Sequence, residues 1–85
     1  MYFVYILLSK KDGRTYIGYA KDVGVRLSEH NAGRVKATEH RRPLELWFTE
    51  KFPTMQEAKR RELWWKSSSG RRELKKRFRE KTHGF

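Results

Sequence analysis

The stretch that most constrains this chain is its start, where two apolar runs flank a turn signal only a few residues long. Tyr2-Phe3-Val4-Tyr5-Ile6-Leu7-Leu8 is aromatic, β-branched and apolar at both alternating sets of positions, the pattern of a strand covered on both faces. Thr15-Tyr16-Ile17-Gly18-Tyr19-Ala20 reads as a second strand, with Lys11-Asp12-Gly13-Arg14 between the two. Asp12-Gly13 favours a two-residue type I′ turn, whose central residues both take positive φ. With that turn Leu7 faces Gly18, Tyr5 faces Ala20, and Tyr5 and Tyr16 share one face, with Gly18 leaving space between them. A three-residue turn would put the two tyrosines on opposite faces.

Eighty-five residues make one small domain with a thin core, so the remaining elements must cover this hairpin. The expected domain is 1–80, with 81–85 a frayed tail. Asp22 is placed to N-cap a short helix over about 23–31, which stops at Ala32-Gly33. Val23 and Leu27 pack inward from it, and Arg26 and His30, also four apart, flank that stripe. Gly33 to Pro43 is a basic connection without apolar periodicity. In Leu44-Glu45-Leu46-Trp47-Phe48-Thr49-Glu50-Lys51-Phe52, the residues Leu44, Leu46, Phe48 and Phe52 fall on one side of a third strand, with Trp47 and Glu50 as exceptions. Thr54-Met55-Gln56-Glu57 is a capping box opening a helix from about Met55 to Ser67. Ser67-Ser68-Ser69-Gly70 breaks it, and a last helix over about 71–79 buries Leu74 and Phe78. The expected fold is α/β: a small, three-stranded, mostly antiparallel sheet flanked by helices.

Glu62 is the anomaly of the fifth element. Met55, Ala58, Glu62 and Trp65 form one helical stripe in which the carboxylate stands among apolar groups. A charge there is costly unless paired. Either Lys66 or Lys59, one turn away, neutralises it, or it rims a cleft and binds a cation.

The formal charge is +11, and Pro53 to Phe85 alone carries eleven Lys and Arg against four acids. Acidic polymers are the natural partners: DNA, RNA, or less readily an anionic membrane surface. No cysteine means no disulfide, no cysteine-held zinc and no thiol catalysis, which suits the cytoplasm. No apolar run approaches a membrane span, and Lys10 and Lys11 follow the first apolar run where a signal peptide would have them before it.

The ordered set Phe3-Val4-Tyr5, Tyr16-Ile17-Gly18, Arg26, His30 and Glu62 resembles the GIY-YIG nuclease module, over nearly the whole chain and closest to its small single-domain members. Phe3 stands where that family has its first glycine, and Leu74-Lys75-Lys76-Arg77 holds no counterpart of the asparagine often found in its last helical segment. The resemblance implies a divalent-metal-dependent endonuclease hydrolysing phosphodiester bonds in DNA, branched or otherwise structured, with RNA as a further substrate class. It implies Tyr5, Tyr16, Arg26 and His30 as catalytic residues and Glu62 as ligand of Mg²⁺ or Mn²⁺. Phosphodiester cleavage needs a deprotonated water, neutralised phosphoryl oxygens and help for the leaving oxygen. A tyrosine, Tyr16 by preference, can take the proton; Arg26 can fork onto phosphate; and a hard cation on Glu62 can serve the leaving group. Without the resemblance, the two tyrosines read as core aromatics, Arg26 as a surface charge and His30 as a helix-end residue. Lys36, Arg41, Arg42, Lys66, Arg71, Arg72, Lys75 and Lys76 are the expected nucleic-acid contacts. Two rival readings are a basic nucleic-acid-binding protein of the same fold with weak or no cleavage, and a module whose partner protein supplies specificity.

Overall fold

The computed structural model describes residues 1–82, with side chains through Arg79. Three strands and three helices follow in the order β1 (Tyr2–Ser9), β2 (Thr15–Ala20), α1 (Val23–Asn31), β3 (Leu44–Phe52), α2 (Met55–Lys66) and α3 (Ser68–Thr82). The sheet is antiparallel throughout, in the order β2-β1-β3. The α/β architecture is therefore as expected, with β1 buried in the middle.

The hairpin differs from expectation by two residues. Tyr5 faces Gly18 and Leu7 faces Tyr16, where the I′ turn had Tyr5 facing Ala20. Gly13 takes φ +72°, but among the described residues none other than glycine has positive φ, so Asp12 cannot be the first residue of an I′ turn. The loop is instead Lys10 to Gly13, closed by Ser9 N–H donating to Arg14 O at 2.9 Å and by Gly13 N–H donating to Ser9 O at 2.9 Å. Ser9 Oγ accepts from the backbone N–H groups of Lys11 and Asp12, and Asp12 Oδ1 accepts from that of Arg14. Two further ties are remote in sequence: Arg41 Nε to Asp12 Oδ2 at 3.1 Å and Arg41 Nη2 to Thr15 O at 3.2 Å. Four loop residues keep the same parity as two, so Tyr5 and Tyr16 still share a face.

The third strand does not keep one face. Its pairing with β1 shifts between Ile6/Phe48 and Leu7/Leu46, which leaves Trp47 as the extra residue of a bulge. Leu44 therefore joins Tyr5, Leu7, Tyr16, Val23 and Leu27 in the layer under α1, while Phe48 and Phe52 join Val4, Ile6, Ile17, Ala58, Trp65 and Leu74 under α2 and α3. One inserted residue lets one strand supply both layers. The same bulge explains Glu50, which lies on the α2 side. Arg61 grips it with Nε and Nη2 at 3.0 and 3.1 Å, and Trp65 Nε1 donates to it at 2.7 Å. Burial works against that carboxylate's charge, but the bonds from Arg61 and Trp65 outweigh it and hold its pKa below the usual range.

Helix α1 begins on Asp22, whose side chain accepts from Val25 N–H, and Asn31 at its end clamps β3 by two bonds to the Leu44 backbone. In α2, Thr54 accepts from Glu57 N–H as the capping box requires, and its hydroxyl bonds the Glu57 carboxylate. Ala58 and Trp65 are fully buried, but Met55, expected in the same stripe, is 46% exposed. The break before α3 is shorter than expected. Ser67 alone ends α2, and its carbonyl accepts from Arg71 N–H in the first turn of α3. Gly70 is not a breaker but a buried helical residue, where a Cβ would meet the carbonyl oxygen of Trp64 and the backbone of Trp65. Leu74 is buried as expected, whereas Phe78 is 41% exposed. Of the expected tail 81–85, α3 extends to Thr82 and 83–85 lie outside the described residues.

Gly70→Ala has no room, since its neighbours are backbone atoms, and is expected to cost on the order of 1–3 kcal/mol. Gly24→Ala, inside α1 and facing only Asp22 Oδ1 at 3.4 Å, is expected to raise stability by about 0.5–1 kcal/mol. Urea unfolding of both variants checks this; a neutral Gly70→Ala would mean that the α2–α3 contact yields.

Candidate active site

Tyr5 is central to β1, and its ring lies across Gly18 on the neighbouring strand. A Cβ at Gly18 would stand 2.5 Å from the Tyr5 hydroxyl, so only glycine leaves the ring its place. The hydroxyl bonds His30 Nε2 at 3.0 Å, and His30 Nδ1 bonds Thr38 Oγ1 at 2.7 Å. Tyr5, His30 and Thr38 are all essentially inaccessible to water. Thr38 Oγ1 in turn lies 3.4 Å from Val35 O, to which only its own hydroxyl proton can donate. That fixes the direction of the chain: Nδ1–H donates to Thr38, and the phenol of Tyr5 donates to Nε2. His30 is held neutral, since burial first and the Arg26 charge second keep its pKa below the ordinary 6.5, with Glu29 opposing.

Tyr16, half-buried on β2, presents its ring to the same imidazole. The centroids of Tyr16 and His30 are 4.8 Å apart at 62°, and those of Tyr5 and Tyr16 are 6.3 Å apart. Arg26, one turn before His30 on α1, places its guanidinium beside the Tyr5 hydroxyl and bonds Glu29 at 3.2 Å. Burial pushes the Tyr5 phenol above its usual pKa, Arg26 pulls back against it, and Tyr16 and Glu62 push it further up. The influence of Glu62 on Tyr5 brings α2 into the same neighbourhood, although that helix packs on the other layer. The Glu62 side chain is 14% exposed and sits 3.6 Å from Lys66 Nζ, so the expected i,i+4 partner is present.

The four residues expected to be catalytic are thus gathered at one place, with Glu62 within electrostatic reach. The expected nucleic-acid contacts are dispersed. Arg41 is spent on the hairpin loop and Arg42 on Glu39 O, while Lys36, Arg71, Arg72, Lys75 and Lys76 are exposed. Thr38 is the site residue that sequence reasoning missed. It lies in a connection without periodicity, and only a residue eight places away gives it a role.

For a metal, Glu62 offers one hard oxygen ligand, and no group of three or more His, Cys, Asp or Glu stands together among the described residues. This donor set fits Mg²⁺ or Mn²⁺, which keep most positions for water and phosphate, and does not fit an all-protein cage such as structural zinc.

The GIY-YIG catalytic domain family matches residues 1–80. The chain belongs to the GIY-YIG nuclease family. Its similar relatives are UPF0213 proteins: 43% identity to one from Staphylococcus saprophyticus, 44% to one from Staphylococcus epidermidis and 41% to one from Staphylococcus aureus. Each match covers 87% of this chain and 90% of the relative. The solution NMR structure of a UPF0213 protein from Bacillus halodurans superposes with TM-score 0.52 at 40% identity, covering 87% of this chain and 82% of that one. The GIY-YIG fold is therefore shared with a solved relative, and Tyr5, Gly18 and Tyr16 stand in its two signature strands.

The lowered His30 pKa has a sign that can be tested. Below pH 6.5 the unfolded chain protonates His30 while the folded chain resists, so stability falls as pH drops through that range and recovers above it. Asp12, held low first by Arg14 N–H, and Glu50 act in the carboxylate range instead. Between about pH 7.5 and 5.5, wild type should lose more unfolding free energy than His30→Gln. Equal losses would mean that His30 is not held neutral.

Proposed function

We propose that this protein is a divalent-metal-dependent endonuclease acting on structured DNA, working in the cytoplasm with 1–80 as its catalytic unit. The observation that carries the reading is the convergence of Tyr5, Tyr16, His30 and Arg26 around one imidazole, within the electrostatic reach of Glu62.

The two phenols divide the work by exposure. Tyr5 is buried and donates its hydrogen bond to His30, so it orients; Tyr16 is the phenol on the half-exposed side, and in its deprotonated form it takes the proton from the attacking water and becomes the neutral phenol. Arg26 exchanges its half-buried bond to Glu29 for two phosphate oxygens and neutralises the charge that grows on them. Glu62 would hold a divalent cation, which would supply Lewis-acid charge to the phosphodiester. Thr38 fixes the orientation of His30, and Glu29 holds Arg26 until phosphate replaces it.

The test is purified protein with branched, flapped, nicked and plain DNA, in Mg²⁺ or EDTA. Tyr16→Phe and Arg26→Ala should each slow cleavage by at least about 100-fold with little change in affinity. Glu62→Gln should lose Mg²⁺-dependent cleavage while its melting temperature stays level or rises, because a half-buried active-site charge is held at some cost to the fold. A Glu62→Gln protein that cuts with unchanged Mg²⁺ dependence would sink the metal role. DNA binding with no cutting of any substrate would leave a binding protein.

A further inference from the structure

An open groove of about 730 Å³ lies between the hairpin loop, Trp47 and α3. It belongs to the layer of α2 and α3, on the sheet face opposite His30 and the site tyrosines. Its lining combines two kinds of group. Trp47, Leu74 and Phe78 give an apolar, aromatic floor, with the Trp47 and Phe78 rings edge-to-face at 5.9 Å. Arg14, Arg71 and Lys75 give the rim, and no described lining residue is acidic.

Both halves run against what folding alone would favour. Arg14, Arg71 and Lys75 form no ion pair among the described residues, whereas Arg77, on the same helix, pairs with Glu73 and Arg61 on α2 with Glu50. Arg71 and Lys75 are four apart on one face of α3, a like-charge spacing that destabilises a helix. Phe78 remains 41% exposed beside them. Trp47 is the extra residue of the β3 bulge, a device that re-aims a side chain. The volume is in the range of pockets that take small organic groups.

We infer that this groove binds an unpaired nucleotide of single-stranded DNA, with the base on the Trp47–Phe78 floor and its flanking phosphates on Arg14, Arg71 and Lys75. Aromatic floor and uncompensated cations together match the two faces of a nucleotide, a flat apolar base beside a phosphate. A blunt duplex keeps its bases stacked inside and can offer only its phosphates. The groove is also continuous with the catalytic side through the chain: Thr15 lines it, and Tyr16, the next residue, faces the other way into the active site. A strand seated here thus meets the catalytic face where it passes the hairpin end. The choice of DNA rests on the proposed function; the binding itself does not need cleavage.

The experiment is therefore run in EDTA, so that a failed nuclease reading does not affect it. The probes are oligo-dT of about 15 nucleotides, a blunt duplex and polyphosphate, with the indole N–H signals of Trp47, Trp64 and Trp65 followed by NMR on the wild-type protein. The Trp47 signal should shift with oligo-dT alone and the other two should stay. Trp47→Leu should weaken oligo-dT binding by about tenfold or more and duplex binding by less than about twofold. Arg71→Gln with Lys75→Gln should flatten the salt dependence of oligo-dT binding. A Trp47 signal that ignores oligo-dT, or that responds equally to polyphosphate, overturns the base site; tighter binding of oligo-rU than of oligo-dT overturns DNA as its occupant. The wild-type NMR arm decides even if Trp47→Leu does not fold.

Discussion

The hydrogen bond from Tyr5 to His30 is the contact on which the rest of this small fold is arranged. It joins the central strand to α1 at a point closed to solvent, where an unpaired phenol or imidazole would cost on the order of 1–3 kcal/mol. It needs Gly18 on one side, because any side chain there would occupy the ring's position, and Thr38 on the other, because the second imidazole nitrogen must also be satisfied. No buried side-chain polar atom among the described residues is left without a partner. The connection from α1 to β3 therefore has to fold back far enough to bring Thr38 to the ring, and Val35 is buried with it.

A second constraint is scarcity. A domain this small has one sheet with two faces to cover, and the β1 centre is apolar on both. The α1 layer is given largely to Tyr5, Tyr16, His30 and Arg26, so it holds a hydrogen-bonded polar group as well as apolar packing. The α2–α3 layer then holds the tighter core, with Trp65 fully buried beneath Phe48 and under the guanidinium groups of Arg61 and Arg77 at 4.8 and 5.1 Å. Cations that composition alone would assign to a polyanion surface are partly used here to cover aromatic rings and hold Glu50.

Much of this was legible in the sequence where the cause is local. The strand pattern of 2–8, the Asp22 and Thr54 caps, and the i,i+4 placement of Arg26 and His30 follow from short-range rules, and the structure has them. The signature residues Tyr5, Tyr16, Arg26, His30 and Glu62 were likewise placed by spacing and resemblance, and the first four meet at one imidazole. What was not legible depends on partners distant in the chain. The hairpin loop is held in part by Arg41, 29 residues from Asp12, which no turn rule contains. The bulge at Trp47 is written only in the mismatch between two apolar faces, and Glu50 looked like an exception because Arg61 and Trp65 had not yet been brought to it. Gly70 reads as a helix breaker locally, yet its place is set by the close approach of two helices.

The hairpin parity and the β3 bulge also fix how this chain can change in length. Adding or removing residues in pairs between Ser9 and Arg14 would preserve the shared face of Tyr5 and Tyr16, whereas a single insertion or deletion would turn Tyr16 into the opposite layer. At Trp47 the rule is the reverse: the odd residue is the one that cannot be lost, because deleting it would send either Leu44 or Phe48 to the wrong helix. Relatives that differ in length should therefore differ by even steps at the first loop and not at all at the bulge, a pattern open to reading in any collection of such sequences.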